Sequence, residues 1–207
     1  MPPLLLTVCF WPESSDSIPI DQSLIVIAVR TLPTTLRSQA RKLIRIAIRQ
    51  VLAKKLTCHY AEIKLISQLG QSLKLLQPRR NIGLSISHES GLSLAAININ
   101  GSVGVDLIDI KTIPNKSEIE TLALEYLGAE VAEYLSHLSF EEQNRAFAQA
   151  WTEFEARLKC QEKSLTEWIP SSALQLNTLA VRSLSLPESY IGTIAFSDSN
   201  HSGLGLI

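Results

Sequence analysis

The sequence carries no surplus of charge of either sign. Its 19 basic and 20 acidic residues nearly cancel, so no global field draws the chain to nucleic acid or to an anionic membrane, and any anion site must be local. It also has little cysteine. Cys9, Cys58 and Cys160 stand far apart with no Cys-x-x-Cys pair and an odd count, which argues against a disulfide framework and for a reducing, cytoplasmic setting. Long hydrophobic runs are missing as well: charges or turn residues interrupt every apolar stretch before the ~20 residues a membrane helix requires. Residues 1–11 are apolar, yet they lack a basic flank and a small-residue cleavage site, and are read as a first β-strand. No internal repeat and no low-complexity segment is visible. His59, His137 and His201 have no spacing with acids or cysteines that suggests a zinc site.

What is present is a chain of 207 residues, 45% hydrophobic, long enough to fill a core unaided. Over residues 34–56, apolar residues recur at Leu36, Ala40, Leu43, Ile44, Ala47, Ile48, Val51 and Leu52, the spacing of an amphipathic helix. Its other positions carry Arg37, Arg41, Lys42, Arg45 and Arg49 with no acid among them. Such a run is either a solvated face or a phosphate-binding surface, because unpaired cations on one helix repel one another.

Gly83-Leu84-Ser85-Ile86-Ser87-His88 alternates as a strand does, Glu89-Ser90-Gly91 turns the chain, and residues 92–99 form a second strand. Asn100-Gly101 is a strong hairpin signal and predicts that this strand pairs with the next, residues 102–108. Beyond Pro114 three helices are expected, over 117–127, 129–138 and 140–163, followed by short strands in 171–207. Strand, helix and strands thus occur twice. The expected fold is α/β (α+β) with two similar subdomains, 1–105 and 106–207.

Strand alternation sets Val103, Val105 and Leu107 on one face and Gly104, Asp106 and Ile108 on the other. A carboxylate framed by apolar strand residues is costly to bury unless it meets a cation or a metal. In the last helix Trp151, Glu155 and Lys159 lie along one stripe. Glu155 and Lys159 form either a simple i, i+4 ion pair or part of a site in which Asp106 and Glu155 hold a hard cation. His88 precedes a turn whose amides suit phosphate, although a lone histidine is more often only hydrogen-bonded.

Taken in order, Ser85-Ile86-Ser87-His88, then Val103-Gly104-Val105-Asp106, then Trp151-Thr152-Glu153-Phe154-Glu155-Ala156-Arg157-Leu158-Lys159 resemble the motifs of the Sfp-type 4′-phosphopantetheinyl transferases. The likeness runs over about residues 34–170, more than half the chain. It implies two pseudo-symmetric α/β subdomains, with coenzyme A in the cleft between them. It further implies transfer of phosphopantetheine to a serine of an acyl or peptidyl carrier protein, with release of 3′,5′-ADP. On that resemblance Asp106 and Glu155 bind Mg²⁺, and His88, Ser87, Arg41, Arg45 and Lys74 hold coenzyme A. Lys159 meets the pyrophosphate or the entering serine oxygen, and Glu155, directly or through water, accepts the serine proton. The partner is a carrier domain whose serine starts an acidic helix; no nucleic acid or membrane partner is implied, and a monomer can complete the cleft.

Three departures bear on activity. A second acid usual two residues after the aspartate is Ile108 here, with Asp109 one residue late and so on the opposite face. The lysine usual before the helix glutamate is Phe154, and the usual Gly-Lys-Pro loop reads Gly70-Gln71-Ser72. These leave a metal site with two protein carboxylates and fewer cations near phosphate, Lys74 standing in for one. The alternative they raise is a non-catalytic homologue that binds coenzyme A or a carrier protein.

Overall fold

Ile25, Ile27 and Val29 alternate with Val26 and Ala28 along β2 (Leu24–Arg30), and both sets are buried, so this strand has a core on each face. The computed structural model describes residues 5–14, 18–67, 72–169 and 178–197. On one face of β2 lies helix α1 (Arg37–Leu56), which buries Ala40, Ile44, Ala47, Ile48, Val51 and Leu52. These are core positions of the expected stripe; Leu36, just before the helix, is exposed. The sheet beneath α1 has the order β1-β2-β6-β5, with β1 Cys9–Trp11, β5 Gly83–Glu89 and β6 Leu92–Asn98. A short ribbon, β3 (Lys64–Ile66) with β4 (Lys74–Gln77), borders this half.

The second half begins with β7 (Val103–Asp109), which runs unbroken across residues 105 and 106. Helices α2 (Lys116–Leu122) and α3 (Ala129–Ser136) follow, with one π-helical turn over 123–127 between them. The long helix α4 (Phe140–Cys160) then leads to β8 (Ala180–Ser183) and β9 (Tyr190–Phe196). Its sheet has the order β7-β9-β8. The fold is α+β, and the halves share a topology: β2-α1-β5-β6 and β7-α4-β8-β9 each place the last strand in the middle, antiparallel to both neighbours.

The pairing corrects one expectation. β6 is hydrogen-bonded to β5 on one edge and to β2 on the other, so no edge is left for β7, whose partner is β9. The Asn100-Gly101 turn therefore carries the chain from one sheet to the next and closes no hairpin. An Asn-Gly pair favours the reversal of direction, but pairing is decided by which edges remain open. The hairpin of this region is β5–β6, turned by Ser90-Gly91 with Gly91 in the left-handed region at φ +82°.

The two sheets pack through Val26, Ala28, Leu94 and Ala96 of the first and Val103, Val105, Leu107 and Ile194 of the second. Their edge strands β5 and β7 run side by side, Ser85 Oγ accepting from the Val105 amide at 3.0 Å. α4 lies on the other face of β7. Among the described residues no helix is long and apolar enough to cross a membrane, and Cys9, Cys58 and Cys160 are free thiols.

Candidate active site

With Val103, Val105 and Leu107 turned into the core between the sheets, alternation turns Gly104 and Asp106 toward α4. The helix passes so close that a Cβ on Gly104 would lie 1.9 Å from the Ala156 carbonyl oxygen and 2.4 Å from the Cys160 amide nitrogen. Glycine is required there by space. The close approach brings the last turns of α4 over Asp106, which is 7% exposed. Lys159 Nζ donates to Asp106 Oδ1 at 2.5 Å and to the Val105 carbonyl at 3.4 Å. From β5, the Ser87 hydroxyl donates to the same Asp106 oxygen at 2.9 Å. Asp106 is thus held from both halves, by Lys159 and by Ser87.

Of the two sequence readings for Glu155 and Lys159, the simple helix pair is not what forms, since the lysine turns to Asp106. Glu155 has no hydrogen-bonding partner among the described residues. Burial raises its carboxyl above the usual range, the Asp106 charge adds to this, and Lys159 offsets part of it. A half-buried carboxylate without a donor is a group that a cation would relieve.

These residues open onto a cleft of about 940 Å³. Asp106, Glu155, Lys159, His88, Ser87, Arg41, Arg45 and Lys74, the residues singled out in the sequence, all line it. One wall is α1, which contributes Arg37, Arg41 and Arg45, spaced four apart so that they form one stripe. Arg45 also contacts the Ser67 hydroxyl. Two further cations of the helix, Lys42 and Arg49, face elsewhere: the Arg49 guanidinium lies 6.0 Å from the Tyr60 ring centre, and Lys42 does not reach the cleft.

His88 sits between the arginine stripe and Lys159. Its Nδ1 is 2.7 Å from the Ser93 hydroxyl, while Nε2 is buried with no partner among the described residues. Burial first, then repulsion by Arg37, Arg41, Lys159 and Arg45, lowers its pKa to about 4. The ring is therefore neutral at neutral pH. When Ser93 donates to Nδ1, the proton lies on Nε2 and is available to an anion.

Lys74 does not stand free in the cleft: it forms a 3.1 Å ion pair with Glu162, which also accepts from the Ser72 hydroxyl at 3.0 Å. These hydrogen bonds to Lys74 and Ser72 hold the Glu162 carboxyl below its usual range. Gly70 and Gln71 lie outside the described residues. Ile108 does line the cleft, whereas Asp109 turns away and accepts from the Lys111 amide at 3.1 Å. Phe154 falls in a second, more apolar groove of about 300 Å³ with Tyr126, Leu158 and Trp168. Its place in the helix motif thus lies outside the arginine-lined cleft. Glu89 and Glu162 line the cleft without belonging to any motif; for Glu89 the available signal is its alternation with Ser85 and Ser87.

As a metal centre, Asp106 and Glu155 fit Mg²⁺, which takes one or two carboxylates and completes its shell with water and substrate phosphate. Among the described residues no group of three or more histidines, cysteines and acids is preassembled for a metal. A site here would be completed by substrate.

No protein-family model matches the chain. Over 123 residues it is 26% identical to a Synechocystis protein named as a candidate 4′-phosphopantetheinyl transferase. The match spans 59% of this chain and 49% of that relative, about half its length. The similarity is distant and supports relatedness at the level of the 4′-phosphopantetheinyl transferase superfamily only.

Proposed function

We propose that the chain moves 4′-phosphopantetheine from coenzyme A to a serine of an apo acyl or peptidyl carrier protein, in a Mg²⁺-dependent reaction that releases 3′,5′-ADP. The observation that carries this reading is the convergence, in one cleft, of the buried Asp106 and the half-buried Glu155 with an arginine stripe and a neutral histidine. Such a cleft offers cations and a hydrogen-bond donor to a polyphosphate, beside carboxylates for a metal and a base. The distant Synechocystis relative supports the same reading.

In this proposal Arg37, Arg41 and Arg45 hold phosphates of coenzyme A, and His88 Nε2 donates to one phosphate oxygen. Asp106 and Glu155 would hold Mg²⁺, which would supply neutralisation of pyrophosphate charge. Lys159 leaves Asp106 for the substrate, where its ammonium stabilises charge on the leaving oxygen. The serine oxygen attacks the phosphorus that bears pantetheine, the bond from that phosphorus to the leaving phosphate oxygen breaks, and 3′,5′-ADP departs. Glu155 accepts the serine proton, directly or through water. Asp106, Glu155 and Lys159 are the proposed catalytic residues, working in a cytoplasmic monomer.

The test is mass spectrometry of an apo carrier protein incubated with this protein, coenzyme A and Mg²⁺, with and without chelator. A chelator-sensitive gain of one phosphopantetheine on serine is expected. No gain on any of several carriers, together with measurable coenzyme A binding, would favour the non-catalytic reading instead.

A further inference from the structure

β5 presents two faces to two different neighbours. Leu84 and Ile86 pack on the α1 side, while Ser85 and Ser87 bond to Val105 and Asp106 of β7. Period-two alternation puts Glu89 on the face of Ser85 and Ser87. Contacts advance together along the two strands, from Ser85 at Val105 to Ser87 at Asp106. The next residue on that face, Glu89, therefore comes alongside the stretch that contains Ile108, the cleft position without an acid. We propose that Glu89 supplies from β5 the third carboxylate of the metal site, in place of the acid absent at position 108.

Independent features agree. Glu89 and Ile108 line the same cleft as Asp106 and Glu155. After burial, the Asp106 charge is the largest electrostatic influence raising the Glu89 carboxyl, so the two acids act on one another across the cleft. The turn that carries Glu89 is also anchored: Tyr190 of β9 donates to the Ser90 carbonyl at 2.6 Å, and a Cβ on Gly91 would come within 2.8 Å of that hydroxyl. In the free protein the acids are held apart by other partners, Asp106 by Lys159 and Glu89 by the Ser90 amide. A divalent cation would exchange these contacts for carboxylate ligation.

This inference rests on the proposed metal site, and the experiment separates the two. Mn²⁺ alone is titrated by electron paramagnetic resonance into the full chain and its variants, with circular dichroism confirming the fold. Glu89→Gln is expected to weaken Mn²⁺ binding about tenfold, in the range for loss of a group supporting a metal site. Adding Ile108→Glu to it is expected to recover most of that loss. Unchanged Mn²⁺ affinity in Glu89→Gln, with affinity lost in Asp106→Asn, would overturn the role of Glu89 and leave the metal site standing. No Mn²⁺ binding by the unaltered chain would overturn both.

Discussion

Lys159 and Asp106 form an ion pair 2.5 Å long between α4 and β7, across 53 residues of sequence. A divalent cation that takes the same Asp106 oxygen must displace this ammonium. In Lys159→Ala, Mn²⁺ in the absence of coenzyme A should bind more tightly than in the unaltered chain, while transfer falls at least about a hundredfold, the scale of removing one preorganised charge donor. Weaker metal binding would show that the lysine supports the carboxylate and does not compete for it.

Asp106→Asn should abolish transfer and also reduce stability, by about 1–3 kcal/mol. A fully buried pair loses about 3–5 kcal/mol when one partner is removed, but the Lys159 side chain is 32% exposed and partly hydrated. Urea denaturation of the two proteins measures the difference.

Glu155→Gln should separate function from stability. Burial opposes the charged form of Glu155 and no donor among the described residues satisfies it, so the neutral amide should raise the melting temperature at neutral pH while transfer is lost. The sign follows from linkage: a carboxyl whose folded pKa is raised makes the fold less stable as pH rises from its unfolded value through the folded one. The gain should therefore vanish under acid conditions, which calorimetry at two pH values would reveal.

His88 acts in the opposite sense. Its pKa falls from 6.5 to about 4 on folding, so between these values the unfolded chain binds the extra proton and stability is lost as pH drops through that window. Below about 4 both states are protonated and the loss levels off. His88→Gln should remove this segment of the pH dependence, read as the difference between two stability curves. Coenzyme A should raise the His88 pKa by neutralising the arginines that depress it, which NMR of the ring protons would detect.

Gly104→Ala places a methyl group where the backbone of α4 already lies. Overpacking of this kind costs about 1–3 kcal/mol, or roughly 2–4 °C in melting temperature per kcal/mol for a chain of this size. Transfer should fall more steeply than stability, since α4 carries Glu155 and Lys159 away from Asp106 as it yields.

Much of the site is legible in the sequence because it depends on period. The 3.6-residue repeat of α1 predicts both its buried face and its cationic one, and the strand alternation around Asp106 predicts that Gly104 and Asp106 share a face. The pairing of β7 is not legible in this way. The Asn100-Gly101 signal is local, while the choice between β6 and β9 depends on β2, some 70 residues earlier, having already occupied the remaining edge of β6. The partner of Lys159 is hidden for the same reason: Glu155 is near in sequence, but Gly104 brings Asp106 nearer in space. Arg37 has the same stripe as Arg41 and Arg45, and only the course of the cleft selects these three over Lys42 and Arg49.

The side-by-side edges of β5 and β7 have a consequence for self-association. An open strand edge is a template for pairing with another chain. Here each edge is covered by the other, partly through the Ser85 and Ser87 hydroxyls that cap β7 from outside its own sheet. Either half expressed alone would bare one such edge, so the serine pair that frames the site also guards the folded chain against edge-to-edge aggregation.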